Sequence, residues 1–311
     1  MQAAALLTAE NLCRSFGQHK AVDDLSFTLK RGEVLGFLGP NGAGKTTTMN
    51  MLSGHLAQNS GKVTINGFDL QNQPARAKSH LGYLPEIPPL YRELTVWEVL
   101  MFSARLHGIP RRARKQAVDT AMQRCGLADV DKQLVGTLSK GFQQRVGIAQ
   151  AIIHTPAVVI LDEPTAGLDP VQIREIRQLI RTLAAEQSVI ISTHILPEVE
   201  SLCDRVQIIN HGRLVFSGDL DSMYQQLKVS SLIMECITPP ALTAIQAIPG
   251  VTGVEKISPG RYRIIFTPGQ SPAPTLAVTA ANQGWQLLEL RPESPTLESL
   301  FMQVIHHEDA A

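Results

Sequence analysis

The chain has 311 residues, 44% hydrophobic and 18% charged, and its basic and acidic side chains balance to a net charge of +0. That length allows roughly two domains, and that hydrophobic share excludes a disordered chain in favour of packed globular units. Zero net charge excludes a broadly basic nucleic-acid binder, though not a local basic patch.

The amino terminus carries no basic region and too short an apolar run for a secretory signal. No apolar segment approaches the roughly 18 to 20 residues of a membrane helix, so any membrane span is expected to come from another polypeptide. Residues 5–38 read as strands: 26–29 alternates, 30–32 looks like a turn, and 33–38 is a short buried strand. The stretch 39-GPNGAGKTTT-48 then joins this strand to a helix predicted over 46–56, where Met49, Leu52 and Leu56 share one face. From Gly39 to Thr46 it fits G-x-x-x-x-G-K-[ST].

Each residue type there has a physical use. Glycine at 39, 42 and 44 lets the backbone wrap an anion closely, because no Cβ intervenes. Successive N–H groups point inward at phosphate oxygens, and the helix start adds partial positive charge. Lys45 supplies a full charge for the outer phosphates and Thr46 a hydroxyl for Mg²⁺. A nucleoside triphosphate is the first expectation.

Further along, 62–65 is a strand before an Asn66-Gly67 turn. From about 93 to 154 the pattern is helical, with Val96, Val99, Leu100 and Leu106 at helix spacing and a break at 108–110. The basic run 111-RRARK-115 is expected to be a solvated helix face. The continuous apolar runs 157–161, 189–191 and 206–209 suit strands buried on both faces, and strands separated by helices argue a parallel α/β core with a helical insert. A boundary is expected near 225–230. Beyond it come short strands at 229–237, 251–257 and 261–267, a loop at 268–274, a helix near 275–283 and a strand at 286–290. The helical face at 295–302 would hold Leu297, Leu300 and Phe301. This is a small α+β appendage. Four cysteines without ligand spacing predict neither a metal site nor a disulfide framework, which fits a reducing compartment.

Three motifs add chemistry. At 158-VVILDEP-164 a buried strand ends in two acids, where parallel sheets bind ligands. Asp162 is placed to hold Mg²⁺ and Glu163 to act as general base on the attacking water. At 192-STH-194, His194 ends the next apolar strand and could orient the attack on the γ-phosphate. At 138-LSKGFQQRVGIAQAI-152 a Ser and a Gly open a helix, a second anion-suited surface. One nucleotide needs one such surface. The second makes sense if it meets the γ-phosphate held by another copy in a two-fold pair.

The order GPNGAGKT, LSKGFQQR, VVILDEP, GLD at 167–169 and then His194 resembles the ATP-binding subunits of ABC transporters, over about residues 5 to 225. The resemblance implies a RecA-like P-loop NTPase core with an antiparallel β-subdomain and a helical insert. By it, residues 1–227 are the ATP-binding domain and 228–311 a small accessory domain. Asn41, Gly42, Ala43, Gly44, Lys45, Thr46 and Thr47 would form the phosphate loop. Ser139 and Gly141 would act across a dimer, Asp169 would belong to the loop between copies, and Phe16 would stack on adenine.

Three positions depart from the family pattern: Lys140 and Phe142 within the signature, and Glu86, in 82-GYLPEIPPLY-91, where glutamine is usual. A carboxylate at 86 can still reach Mg²⁺ or its water but cannot donate as an amide does. The 82–91 stretch, LSKG and the terminal PTLESLF resemble the exporter subgroup with ABC-2-type membrane partners, of which gliding-motility-type ATPases are the nearest kind. The resemblance implies ATP and Mg²⁺ as cofactors, a second ATP-binding subunit in a homodimer, a separate transmembrane permease and no nucleic acid. It implies a cytoplasmic location, peripheral on the inner face of the cell membrane. The alternatives are a soluble ATPase of the same fold acting on ribosomes or DNA, and a monomeric P-loop phosphotransferase. The first usually carries two modules or a long coiled-coil insert, and the second leaves LSKG and GLD unexplained.

Overall fold

Strands Val34–Leu38, Val158–Asp162 and Ser188–Thr193 are buried at every residue, as near-continuous apolar runs require when both faces of a parallel sheet are covered. They are the centre of a six-stranded sheet in the order Arg213–Gly218, Arg205–Asn210, Val34–Leu38, Ser188–Thr193, Val158–Asp162, Leu81–Leu84. All neighbours are parallel except the first two, which form an antiparallel hairpin at one edge. This computed structural model describes residues 5–226, 231–267, 269–293, 297, 298 and 301.

On one face lies a four-stranded antiparallel sheet, ordered His19–Lys30, Ala5–Phe16, Ser60–Ile65, Phe68–Asp69. Its Leu7, Leu12, Leu25 and Phe27 share a core with Phe37 and Ile190 of the parallel sheet and Met49 of the helix Lys45–Leu52. The Phe27 and Phe37 rings meet at 5.3 Å. A second core covers the other face, where Val159, Leu161, Val189 and Ile191 pack against helices Val96–Leu106, Arg111–Cys125, Lys140–Ile152 and Pro170–Ala184.

The helical insert holds three α-helices, Val96–Leu106, Arg111–Cys125 and Lys140–Ile152. The first starts in a capping box, with the Thr95 hydroxyl accepting from Glu98 N–H and Glu98 accepting from Thr95 N–H. The predicted break at 108–110 separates it from the next, whose basic start is largely exposed. The helix expected over 46–56 ends at Leu52. Gly54, at φ +68°, turns the chain there, and Leu56 packs half-buried beyond the turn. Several elements carry no expectation from the sequence, among them the edge strand Leu81–Leu84, too short to show a period, and the helices Pro74–Ser79, Leu196–Leu202 and Pro170–Ala184. In the last of these, Ile176, Leu179, Ile180 and Leu183 have the i, i+3, i+4, i+7 spacing of an amphipathic helix.

The chain divides into two compact units, Met1–Leu220 and Asp221–Gln303. The second holds an antiparallel sheet ordered Val251–Ser258, Arg261–Phe266, Ser231–Cys236, Leu287–Pro292. Leu232, Met234, Tyr262 and Ile264 from its strands pack with Leu276 of the helix Ala273–Asn282 and with Trp285. That helix starts two residues before the predicted position, with a proline in its first turn. A short helix, Leu242–Gln246, went unpredicted. Of the apolar face expected at 295–302, Leu297 is buried and Phe301 half-buried, while Leu300 lies outside the described residues. No disulfide forms among the described residues, and burial raises the Cys203 thiol to about 12, which keeps it unreactive. No helix among them is long and apolar enough to cross a membrane.

Candidate nucleotide site

Parallel register brings three strand ends to one edge of the sheet: Leu38 pairs with Thr193, and Asp162 with Ser192. The residues that follow, from Gly39, Glu163 and His194, therefore converge. The loop from Gly39 needs its glycines. A Cβ on Gly39 would run into the Ile209 carbonyl, and one on Gly44, at φ +105°, into the Ala21 carbonyl. Gly44 opens the helix Lys45–Leu52 with no side-chain cap, so its first amides keep no side-chain partner.

The Lys45 ammonium is 6% exposed. It donates to the Gly39 carbonyl at 2.8 Å and the Pro40 carbonyl at 3.2 Å, and lies 3.8 Å from Glu163 Oε1. Burial pulls its pKa down, and the carboxylates of Glu163 and Asp162 oppose that pull. Beneath it Asp162 is fully buried and accepts from the Ser192 hydroxyl. Burial raises its pKa, while the Ser192 and Thr46 hydroxyls favour the ionised form. Glu163 sits at φ +47°, a left-handed conformation uncommon for a non-glycine residue, and its N–H donates to the Ser192 carbonyl at 3.0 Å. That turn aims Glu163 Oε2 at His194 Nδ1, 2.9 Å away.

Lys45, Glu163 and His194 line a pocket of about 440 Å³. Of the residues singled out in the sequence, Asn41, Gly42, Gly44, Lys45, Thr46 and Thr47 form its floor. Glu86, Glu163 and His194 also line it, as does Phe16, whose ring is 49% exposed rather than in the core and carries the Arg14 guanidinium 4.8 Å from its centroid. Gly39, Ala43 and Asp162 stand behind this lining. His19, Ala21 and Ala166 complete it, and nothing in their spacing marks them in the sequence. Ser192 is a second omission, legible only once Asp162 is known to face it.

Ser139, Gly141 and Asp169 are not brought to this pocket. Ser139 caps the helix Lys140–Ile152 with its hydroxyl exposed and only loosely engaged, 3.4 Å from the Phe142 N–H. A Cβ on Gly141 would meet the Gln172 side chain, and one on Gly167 would meet the Lys140 amine, so these glycines let the two segments approach. Asp169 caps the helix Pro170–Ala184, accepting from the Val171 and Gln172 N–H groups at 2.9 Å.

The site's donors suit a hard cation shared with phosphate. Asp162 Oδ2 is buried without a hydrogen-bond partner, and the exposed Thr46 hydroxyl is its neighbour. No cluster of three or more His, Cys, Asp or Glu suited to a metal occurs among the described residues, so such an ion would draw its other ligands from the nucleotide and water.

The sequence profile of the ABC transporter family matches residues 22–166. The linearmycin resistance ATP-binding protein LnrL of Bacillus subtilis is 32% identical over 311 residues, covering 96% of this chain and 98% of that one. The bacitracin transport ATP-binding protein BcrA of Bacillus licheniformis is 42% identical over 214 residues, 68% of this chain and 69% of that one. Among solved structures, an ATP-binding subunit of an ABC transporter superposes with a TM-score of 0.65 at 32% identity, over 71% of this chain and 92% of that one. The protein cbiO1 of Clostridium perfringens, part of the transporter complex cbiONQ, superposes with a TM-score of 0.65 at 28% identity, over 71% and 91%. With this fold and these motifs at one sheet edge, the chain belongs to the ABC transporter family, as an ATP-binding subunit that hydrolyses ATP to drive transport.

Proposed function

We propose that the chain powers export through a separate ABC-2-type transmembrane permease, working as a homodimer on the inner face of the cell membrane. The relatives named for bacitracin transport, linearmycin resistance and multidrug transport support export. They do not favour a soluble role on ribosomes or DNA. The subgroup likeness to gliding-motility ATPases has no counterpart among these relatives.

In this reading residues 1–227 are the ATP-binding domain and 228–311 an accessory domain. Each of two ATP molecules is held by Lys45 and the loop amides of one copy, with adenine on Phe16. Ser139 and Gly141 of the other copy contact its γ-phosphate, and Asp169 lies between copies. Thr46 and Asp162, with Glu86 nearby, would hold Mg²⁺, which supplies charge neutralisation to the outer phosphates. Glu163 takes a proton from the attacking water and His194 orients the γ-phosphate. ATP favours the closed pair and hydrolysis reopens it. The observation that carries the hydrolytic part of this reading is the Glu163–His194 contact of 2.9 Å beside a pocket lined by Lys45.

Residues 86–91 are proposed to pass closure to the permease. Ile87 and Tyr91 there are exposed apolar side chains, and Pro89 borders a second cleft of about 420 Å³ whose other lining includes Leu84, Ser103, Leu106, Gly147 and His154. The test is purification of Glu163→Gln with Mg·ATP from detergent-solubilised membranes. A co-purifying polytopic membrane protein is expected. Recovery only with soluble ribosomal or DNA-bound partners would overturn the export reading.

A further inference from the structure

Helix Leu196–Leu202 buries Val199, Leu202 and, between the sheet and the helix Pro170–Ala184, a carboxylate: Glu198 is 1% exposed. An acid in such a place is costly unless its oxygens are paired. Both are. Glu198 Oε1 accepts from the hydroxyl of Thr165, and Oε2 accepts from the hydroxyl of Thr193 at 2.8 Å. The Thr193 oxygen in turn accepts from the Ile195 N–H at 3.0 Å, and the Arg177 guanidinium lies 3.8 Å from Oε1. Thr165 and Thr193 are themselves buried.

The two threonines belong to different segments. Thr165 lies two residues after Glu163, and Thr193 immediately before His194. Glu163 and His194 are the pair that meets beside the pocket. One buried carboxylate therefore joins, from behind, the two segments whose tips must keep a fixed separation in front. We propose that Glu198 is a positioning residue for hydrolysis, clamping the segment after Glu163 to the segment carrying His194. This rests on the roles proposed above for that pair. Glu198 is not among the residues that line the pocket. Its loss should therefore spare nucleotide binding and impair the chemical step, where small misplacements are expensive.

The experiment uses the full chain. Steady-state phosphate release gives kcat and KM for Glu198→Ala, Glu198→Gln, Thr193→Val and the double variant Glu198→Ala/Thr193→Val. Binding of a fluorescent ATP analogue and thermal melting are followed alongside. Glu198→Ala should lower kcat about 10- to 100-fold while KM and analogue affinity change less than about threefold. Glu198→Gln, which can accept from one hydroxyl and donate to the other, should recover most of the rate. The double variant should be no slower than Glu198→Ala, because both remove the same link. Near-normal kcat in Glu198→Ala, or additive losses in the double variant, overturns the proposal. If Glu198→Ala does not fold, Thr193→Val carries the test, and an unchanged kcat there overturns it. Glu163→Gln and His194→Ala run in parallel: if they hydrolyse ATP normally, the assigned roles fail, whatever Glu198 does. If they are inactive and Glu198→Ala is normal, only the clamp fails.

Discussion

Two helix starts in this chain suit an anion, and they are finished differently. At Gly44 the helix opens without a side-chain cap, inside a pocket, with a buried ammonium and two acids within reach. At Ser139 the helix opens on an exposed surface, its hydroxyl held by one long contact and the neighbouring Lys140 amine lying against Gly167. The first has the groups of a nucleotide site on its own. The second is a donor surface set apart from that pocket, with Gly141 packed toward the Gln172 side chain. A helix N-terminus by itself supplies only partial charge. The surrounding side chains decide whether it becomes a site, and here only one of the two ends is so equipped.

The sharpest way to break this comparison is at Glu163. Glu163→Gln should lower the steady-state rate about 10²- to 10⁴-fold while equilibrium dialysis finds ATP bound as well as before. Near-normal turnover would remove the base assignment. Next is Lys45→Ala. It removes the ammonium that donates to the loop carbonyls 39 and 40 and should weaken ATP binding about 10- to 100-fold, read by titration of a fluorescent analogue.

Ser139→Ala tests the other end. It should leave the affinity of a single copy unchanged and lower hydrolysis about tenfold, because the role proposed for the hydroxyl is confined to the closed pair. Equal losses of binding and turnover would place Ser139 in its own copy's site instead.

Away from both ends, His154 is packed against His107 with ring centroids 3.8 Å apart, and burial, with His107 beside it, lowers its pKa to about 4. The unfolded chain takes up that proton near pH 6.5 and the folded chain only near pH 4. Stability should therefore be full above about pH 6.5 and fall as pH drops toward 4, by roughly 2 kcal/mol from this residue once partial solvent screening is allowed for. Urea melts of His154→Gln across that window should show a flatter acid slope. The smallest effect is expected at Thr95→Ala, which removes a capping box and should cost about 1 kcal/mol with kcat unchanged.

Much of this was written locally. The strand–loop–helix around Lys45 was legible because a glycine pattern, a buried run and a Lys-Thr pair are all short-range features. The strand ending in Asp162 and Glu163 was legible for the same reason. The helix Pro170–Ala184 was also legible by its period, yet the acid that caps it, Asp169, draws the eye to another role. The short edge strand Leu81–Leu84 could not be read, since four residues carry no period. Ser192 and Glu198 could not be placed either. Their meaning comes from which segments the parallel register sets side by side, and register is a property of the whole sheet.

By itself the sequence determined the nucleotide loop, the acid pair and the alternation of buried strands with helices. Backbone freedom at glycine and hydrophobic periodicity act within a few residues. Only the tertiary structure decided that Glu163 faces His194, that Ser139 stands apart from the pocket of its own chain, and that one buried carboxylate ties together two segments about 30 residues apart. Such pairings are fixed when the sheet closes and its core excludes water.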